Sequence, residues 1–145
     1  MIETPQKVNL MKTFGLLILA LAAVACWKLD DSGNYILTTG RVEITQADIP
    51  ETATINQFTE IKARAEESNN CWSNLNFTLT QNNNFDYTLE AYGVYESYGS
   101  CVEIKVTGDT TIAFKPTQTG VYKFHIVNSE TVTTLDSMIV VSEIK

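Results

Sequence analysis

The chain predicts an all-β fold, an antiparallel β-sandwich of about seven or eight strands, on three observations. Apolar side chains recur with a period of 2 along most of the chain after residue 40. Turn-forming clusters interrupt that alternation roughly every 8–15 residues, and no segment carries a convincing helical period. Strands that are apolar on one face must bury it, and two packed layers of strands do so.

Taken in order, Arg41 to Thr45 sets Val42 and Ile44 against polar neighbours, a first strand. Thr59 to Ser68 is rich in helix formers, and Glu60 with Arg64 would make an i,i+4 pair on a helix. Yet Ile61, Ala63 and Ala65 alternate strictly with Glu60, Lys62, Arg64 and Glu66, so a strand fits better. Leu75, Phe77 and Leu79 alternate with Asn76, Thr78 and Thr80; after Gln81-Asn82-Asn83-Asn84 the run Phe85, Tyr87, Leu89, Ala91 does the same. These two read as a hairpin with both apolar faces on one side. Val102, Ile104 and Val106 form the next strand, ending at Thr107-Gly108-Asp109, and a short strand through Ile112 and Phe114 is stopped by Pro116. Tyr122, Phe124 and Ile126 alternate with Lys123 and His125. Met138 to Val141 is apolar at successive positions and reads as buried on both faces.

The N-terminal part has a different character. Lys12 precedes an apolar run of roughly twelve residues, Phe14 to Ala25, too short for the ~20 that a spanning helix needs. It suits the h-region of a secretory signal, and it ends in Ala23-Val24-Ala25-Cys26. This resembles a bacterial lipoprotein signal with its lipobox, although Ala23 stands where that family most often has Leu. The resemblance implies cleavage before Cys26 and lipidation of that cysteine, hence membrane attachment through a lipid anchor in the cell envelope, with the outer membrane and its surface as the expected location. Glu3 fits a signal n-region poorly, so Met11 rather than Met1 is the expected start. Lys28 followed by Asp30-Asp31 looks like the surface-export signal of Bacteroidetes-type lipoproteins. The expected organisation is extension and signal over 1–25, a tether over 26–40 and one domain over 41–145.

A formal charge of −7 argues against nucleic acid or an anionic membrane surface as a partner. With Cys26 lipidated, Cys71 and Cys101 remain as an even pair in an oxidising compartment, and a disulfide between them is expected. It closes a loop of about 31 residues and stabilises the fold by roughly 3–4 kcal/mol in the chain-entropy picture.

The segment Pro116-Thr117-Gln118-Thr119-Gly120-Val121-Tyr122-Lys123-Phe124 resembles the G-x-Y corner of immunoglobulin-like domains, in which a tyrosine hydrogen-bonds back to the chain. Phe124 stands where an antibody domain has its second cysteine, so the disulfide here is placed differently. With Cys71-Trp72, the tyrosine-rich segment and the second cysteine, the layout over about 41–142 is similar to small Bacteroidetes lipoproteins with a single immunoglobulin-like domain. That resemblance implies an immunoglobulin-like sandwich and no particular biochemical activity.

Little in the chain points to catalysis. His125 is the only histidine, on the expected outward face of its strand, with no motif marking a nucleophile or an orienting carboxylate. Asp86 and Glu90 share a strand face, too generic a pairing for glycoside hydrolysis. No zinc or calcium ligand spacing is present, and no cofactor is expected. The best candidate for binding is aromatic: Tyr92, Tyr95 and Tyr98, with Trp72 brought near by the disulfide and Asn69, Asn70 and Asn74 close in sequence. The plainer reading is that these rings cover one end of the core. Asp109-Thr110-Thr111 and Asp136-Ser137-Met138 look like the O-glycosylation pattern of Bacteroidetes exported proteins. The expectation is therefore a non-enzymatic, lipid-anchored module that binds a protein or glycan, with a protease-inhibitor-like module or a glycan-capture accessory domain as alternatives.

Overall fold

A computed structural model describes residues 34–129 and 131–142. Cys26, the signal segment and most of the expected tether lie outside the described residues. The described chain is all-β, with eight strands: β1 (Ile36–Asp48), β2 (Thr52–Thr54), β3 (Thr59–Glu67), β4 (Trp72–Gln81), β5 (Asp86–Ser97), β6 (Val106–Phe114), β7 (Gly120–Val127) and β8 (Thr133–Val141). The ambiguous segment after Thr59 is a strand. Ile61, Ala63 and Ala65 are buried while Glu60, Lys62 and Arg64 face water, as period 2 requires.

The strands form one curled, mixed sheet in the order β2-β8-β7-β5-β1-β3-β6, with β4 on β5. Two strands make it curl. Along one edge β5 pairs with β4; along the other it pairs first with β7, through Asp86–Leu89, and then with β1, through Ala91–Ser97. β1 divides in the same way: Ile36–Val42 lies on β5, and Glu43–Asp48 lies on β3. The register of β1 slips between Ile44 and Gln46, a bulge that bends the strand from one set of partners to the other. Val42 and Ile44 face inward at the bend, 1% and 0% exposed.

The buried faces of the strands meet in one core. Tyr122, Phe124, Leu89, Ile61 and Met138 are its largest fully enclosed members beside Ile44 and Val42. Tyr87 anchors an aromatic cluster, edge-on to Phe114 at 5.1 Å and stacked on Phe124 at 5.6 Å. Tyr122 closes the corner before β7: its hydroxyl donates to the Gln118 carbonyl (3.0 Å) and accepts from the Gln118 N–H (3.2 Å).

The structure corrects several expectations. The sheet is mixed rather than antiparallel, because β5 with β7 and β2 with β8 run parallel. Period 2 reports which face is buried and carries no signal for the direction of a distant partner. Ile36–Gly40, read as tether, is paired strand. Of the two strands expected on either side of Thr107-Gly108-Asp109, the first, through Val102 and Ile104, does not form, and the second is longer than expected: β6 starts at Val106 and runs straight through the glycine opposite Ala65. Gly108 is there for space: a Cβ would lie 2.7 Å from the Leu75 Cβ. Residues 101–105 precede β6 outside any strand, with Val102 and Ile104 exposed. Met138 and Val140 are buried but Ile139 and Val141 are exposed, so β8 covers the core with one face only.

Candidate functional site

The expected disulfide forms: Cys71 and Cys101 are bonded, with Cα atoms 5.5 Å apart. It ties the start of β4 to the segment after β5, and asparagines complete the junction. Asn70 clasps Val102 twice, its N–H donating to the Val102 carbonyl (3.0 Å) and its Oδ1 accepting from the Val102 N–H (2.9 Å). Asn69 Oδ1 accepts from the Cys71 N–H. Asn74 adopts φ 51° where the register of β4 slips, a conformation asparagine tolerates better than most residues. All three asparagines thus serve the backbone.

Trp72 and the three tyrosines do not form one patch. Successive side chains of a strand point to opposite faces, so Tyr95 parts from Tyr92 and Tyr98. Tyr95 lies on the inner side with its cross-strand partner Trp72, ring centroids 5.3 Å apart, and its hydroxyl is 3.2 Å from the Cys101 Sγ. Trp72 in turn covers two glycines that face each other across β1 and β5, Gly40 and Gly93. Both belong to the packing beneath the disulfide.

Tyr92 lies on the outer side. Its hydroxyl donates to Glu90 Oε2 (3.0 Å), and Arg41 Nη2 donates to Glu90 Oε1 (2.8 Å), so one carboxylate joins β1 to β5. The Arg41 and Glu90 side chains are 37% and 20% exposed, which leaves the chain Arg41–Glu90–Tyr92 accessible at the surface yet held in place. Asn76 of β4 pairs with Tyr92 from the opposite edge.

Tyr98 stands past the end of β5, 74% exposed, and pairs with Tyr35 at 4.9 Å between centroids. Both phenols donate to Glu96 Oε1, at 3.1 Å from Tyr98 and 3.3 Å from Tyr35. The hydrogen bond to Glu96, and then its charge, raise the Tyr98 pKa; partial burial, and then the Glu96 charge, raise that of Tyr35. Both rings stay neutral well above physiological pH.

Arg41, Glu90, Tyr35 and Glu96 were not among the expected site residues. The alternation Leu37, Thr39, Arg41, Glu43 was the available signal, hidden because residues up to Gly40 read as tether. His125 is surface-placed, its Nε2 3.9 Å from Asp86 Oδ1. Among the described residues no three metal-ligating side chains converge. The Asp109-Thr110-Thr111 and Asp136-Ser137-Met138 patterns both fall within strands, β6 and β8, where Thr110 is half-buried and Ser137 exposed. A shallow recess of about 230 Å³ on the outer side of β1, β3 and β6 is lined by Asp48, Lys62, Arg64 and Asp109, and Arg64 is already engaged by Asp109 at 2.7 Å. Compared with protein-family models, curated proteins and solved structures, the chain matches none.

Proposed function

We propose that this chain is a non-enzymatic, lipid-anchored protein of the cell envelope whose single module, an immunoglobulin-like β-sandwich, binds a protein or glycan partner. The contact surface is the outer side of β1, β5 and β4 around Tyr92. The observation that carries this reading is the Arg41–Glu90–Tyr92 chain: an aromatic ring beside a paired cation and carboxylate, fixed on a rigid sheet. Flat rings flanked by positioned polar groups suit both protein and sugar contacts. The anchor itself rests on the segment ending at Cys26. The immunoglobulin-like assignment draws support from the Tyr122 corner and from the antiparallel pairing of β3 with β6; the parallel pairing of β5 with β7 runs against it.

The protease-inhibitor alternative is the weaker one. A loop that occupies a protease cleft offers its backbone to the enzyme, as an added strand does. Here both the N–H and the carbonyl of Val102 are already bonded to Asn70.

The test is binding of the full chain on a glycan array and to envelope proteins by in-cell crosslinking. Tyr92→Ala and Arg41→Ala should each reduce a captured partner or glycan at least several-fold, while Val121→Ser, on the outer side of β7, should leave it unchanged. Equal signals from all three variants would refute the Tyr92 face as the contact surface.

A further inference from the structure

The N-terminal end of β1, the C-terminal end of β5 and the segment 101–105 meet at one end of the domain. Ile36 pairs with Ser97 and Leu37 with Glu96; the Tyr35 ring lies tilted against that of Tyr98; Val102 is clasped by Asn70 beside the disulfide. This end concentrates exposed apolar and aromatic side chains: Tyr35 (51%), Leu37 (59%), Tyr98 (74%), Val102 (58%) and Ile104 (57%). Side chains of this kind grouped at one end of the domain are more than the scattered apolar residues that any surface shows. They are also rigidly presented. The Ile104 N–H turns back to the Val102 carbonyl (2.8 Å), which itself binds Asn70, and Lys105 Nζ is paired with Glu66 at 2.7 Å.

This is also the end at which the described chain begins. Asn34 follows Cys26 by eight residues, which reach at most roughly 28 Å when fully extended. We infer that this apolar end rests on the bilayer that holds the acylated Cys26, its tyrosine rings at the headgroup level and Leu37, Val102 and Ile104 against the acyl boundary. The inference rests on the anchored reading above and adds an orientation to it. Tyrosine, apolar in body and polar at the tip, suits that depth. Among the described residues, Glu96 accepts from both tyrosines and the cation Lys105 is paired with Glu66, so no free cationic cluster among them draws the end to anionic lipid. The contact is apolar and insensitive to salt. The Arg41–Glu90–Tyr92 face then stands upright from the membrane, open to a partner from the side.

The experiment uses the full chain extracted from membranes and reconstituted at low protein density into phosphatidylcholine vesicles. Flotation is followed by hydroxyl-radical labelling, with each residue's rate divided by its rate in the denatured chain. Tyr35, Leu37, Tyr98, Val102 and Ile104 should be protected several-fold more than Val121, Leu135 and Ile139, which are comparably exposed in the structure. The difference should persist in high salt. Flotation with equal protection of the two groups overturns the orientation and leaves the anchor standing. Protection that fades as protein is diluted in the vesicles assigns the surface to a second copy and overturns it too. Failure to float refutes both the anchor and the orientation.

Discussion

At the scale of single residues, the most constrained point is where Trp72 and Leu75 lie on glycine. Neither Gly40 nor Gly93 has a positive φ, so their backbone would accept alanine. Space forbids it. A Cβ on Gly40 would lie 2.9 Å from the Trp72 ring, and one on Gly93 would lie 2.8 Å from Leu75 Cδ2 and 3.1 Å from Trp72. An aromatic ring laid over glycines in neighbouring strands restores packing that glycine alone gives up. Gly93→Ala should therefore destabilise the fold by about 1–3 kcal/mol, as overpacking does. The cost should shrink in a Leu75→Ala background, because the nearest obstructing atom is gone. Urea denaturation of the four members of that cycle measures the coupling, expected at about 1 kcal/mol. An additive cycle would mean that the two side chains do not meet. The same packing changes how the aromatic candidates are probed: alanine at Trp72 or Tyr95 tests the core, whereas Tyr92 and Tyr98 are open to clean substitution.

At the scale of elements, the disulfide and the Tyr87 cluster make separate predictions. Cys71→Ala with Cys101→Ala should cost roughly 3–4 kcal/mol, since the crosslink closes a long loop. Amide exchange should rise first in 98–105, whose other ties among the described residues are Asn70, Glu66, Tyr35 and neighbouring side chains, and least in β7 and β8. Tyr87 reports on the opposite end of β5. Burial, and then the neighbouring Tyr122, raise its pKa above the ordinary value near 10. Its neutral form is therefore favoured by folding, and stability present below pH 10 is lost as pH rises through and above that value. Tyr87→Phe should flatten this alkaline decline, read as the denaturation midpoint at pH 8 and at pH 11, although Tyr35 and Tyr98 contribute in the same direction and keep part of it. The sequence made these elements legible wherever alternation is strict, as in β3, β7 and the β4–β5 hairpin. It misled at Gly108, where a glycine signals close packing rather than a turn, and at Ile36–Gly40, where two threonines and a glycine hide a paired strand. The binding candidates were only half legible. Composition identified the tyrosines, but the side each one faces depends on register, and the Glu90 carboxylate that organises Tyr92 takes its second partner from a strand 49 residues away in sequence.

At the scale of the whole molecule, the question is why a sheet built from two groups of partners behaves as one body. β2, β8, β7, β5 and β4 form one group and β3 with β6 the other, and β1 is hydrogen-bonded to both. The handover occurs at the bulge beside Ile44, whose side chain is wholly enclosed. Asn128 reinforces it from just past the end of β7, its Nδ2 donating to the Ile44 carbonyl (2.9 Å) while its Oδ1 accepts from the Thr134 N–H (3.1 Å) at the start of β8. An Ile44→Ala cavity should therefore cost about 2–5 kcal/mol, the range for a large aliphatic side chain lost from a core. More tellingly, the loss should be shared. Opening at this point breaks the one strand pairing, among the described residues, that joins β3 and β6 to the rest of the sheet, so protection of β6 amides and of β8 amides against exchange should fall together and by the same free energy. If β6 alone lost protection, β1 would be a tether between two independently stable layers, and the rigid orientation of the Tyr92 face relative to the Tyr98 end would hold only within β5.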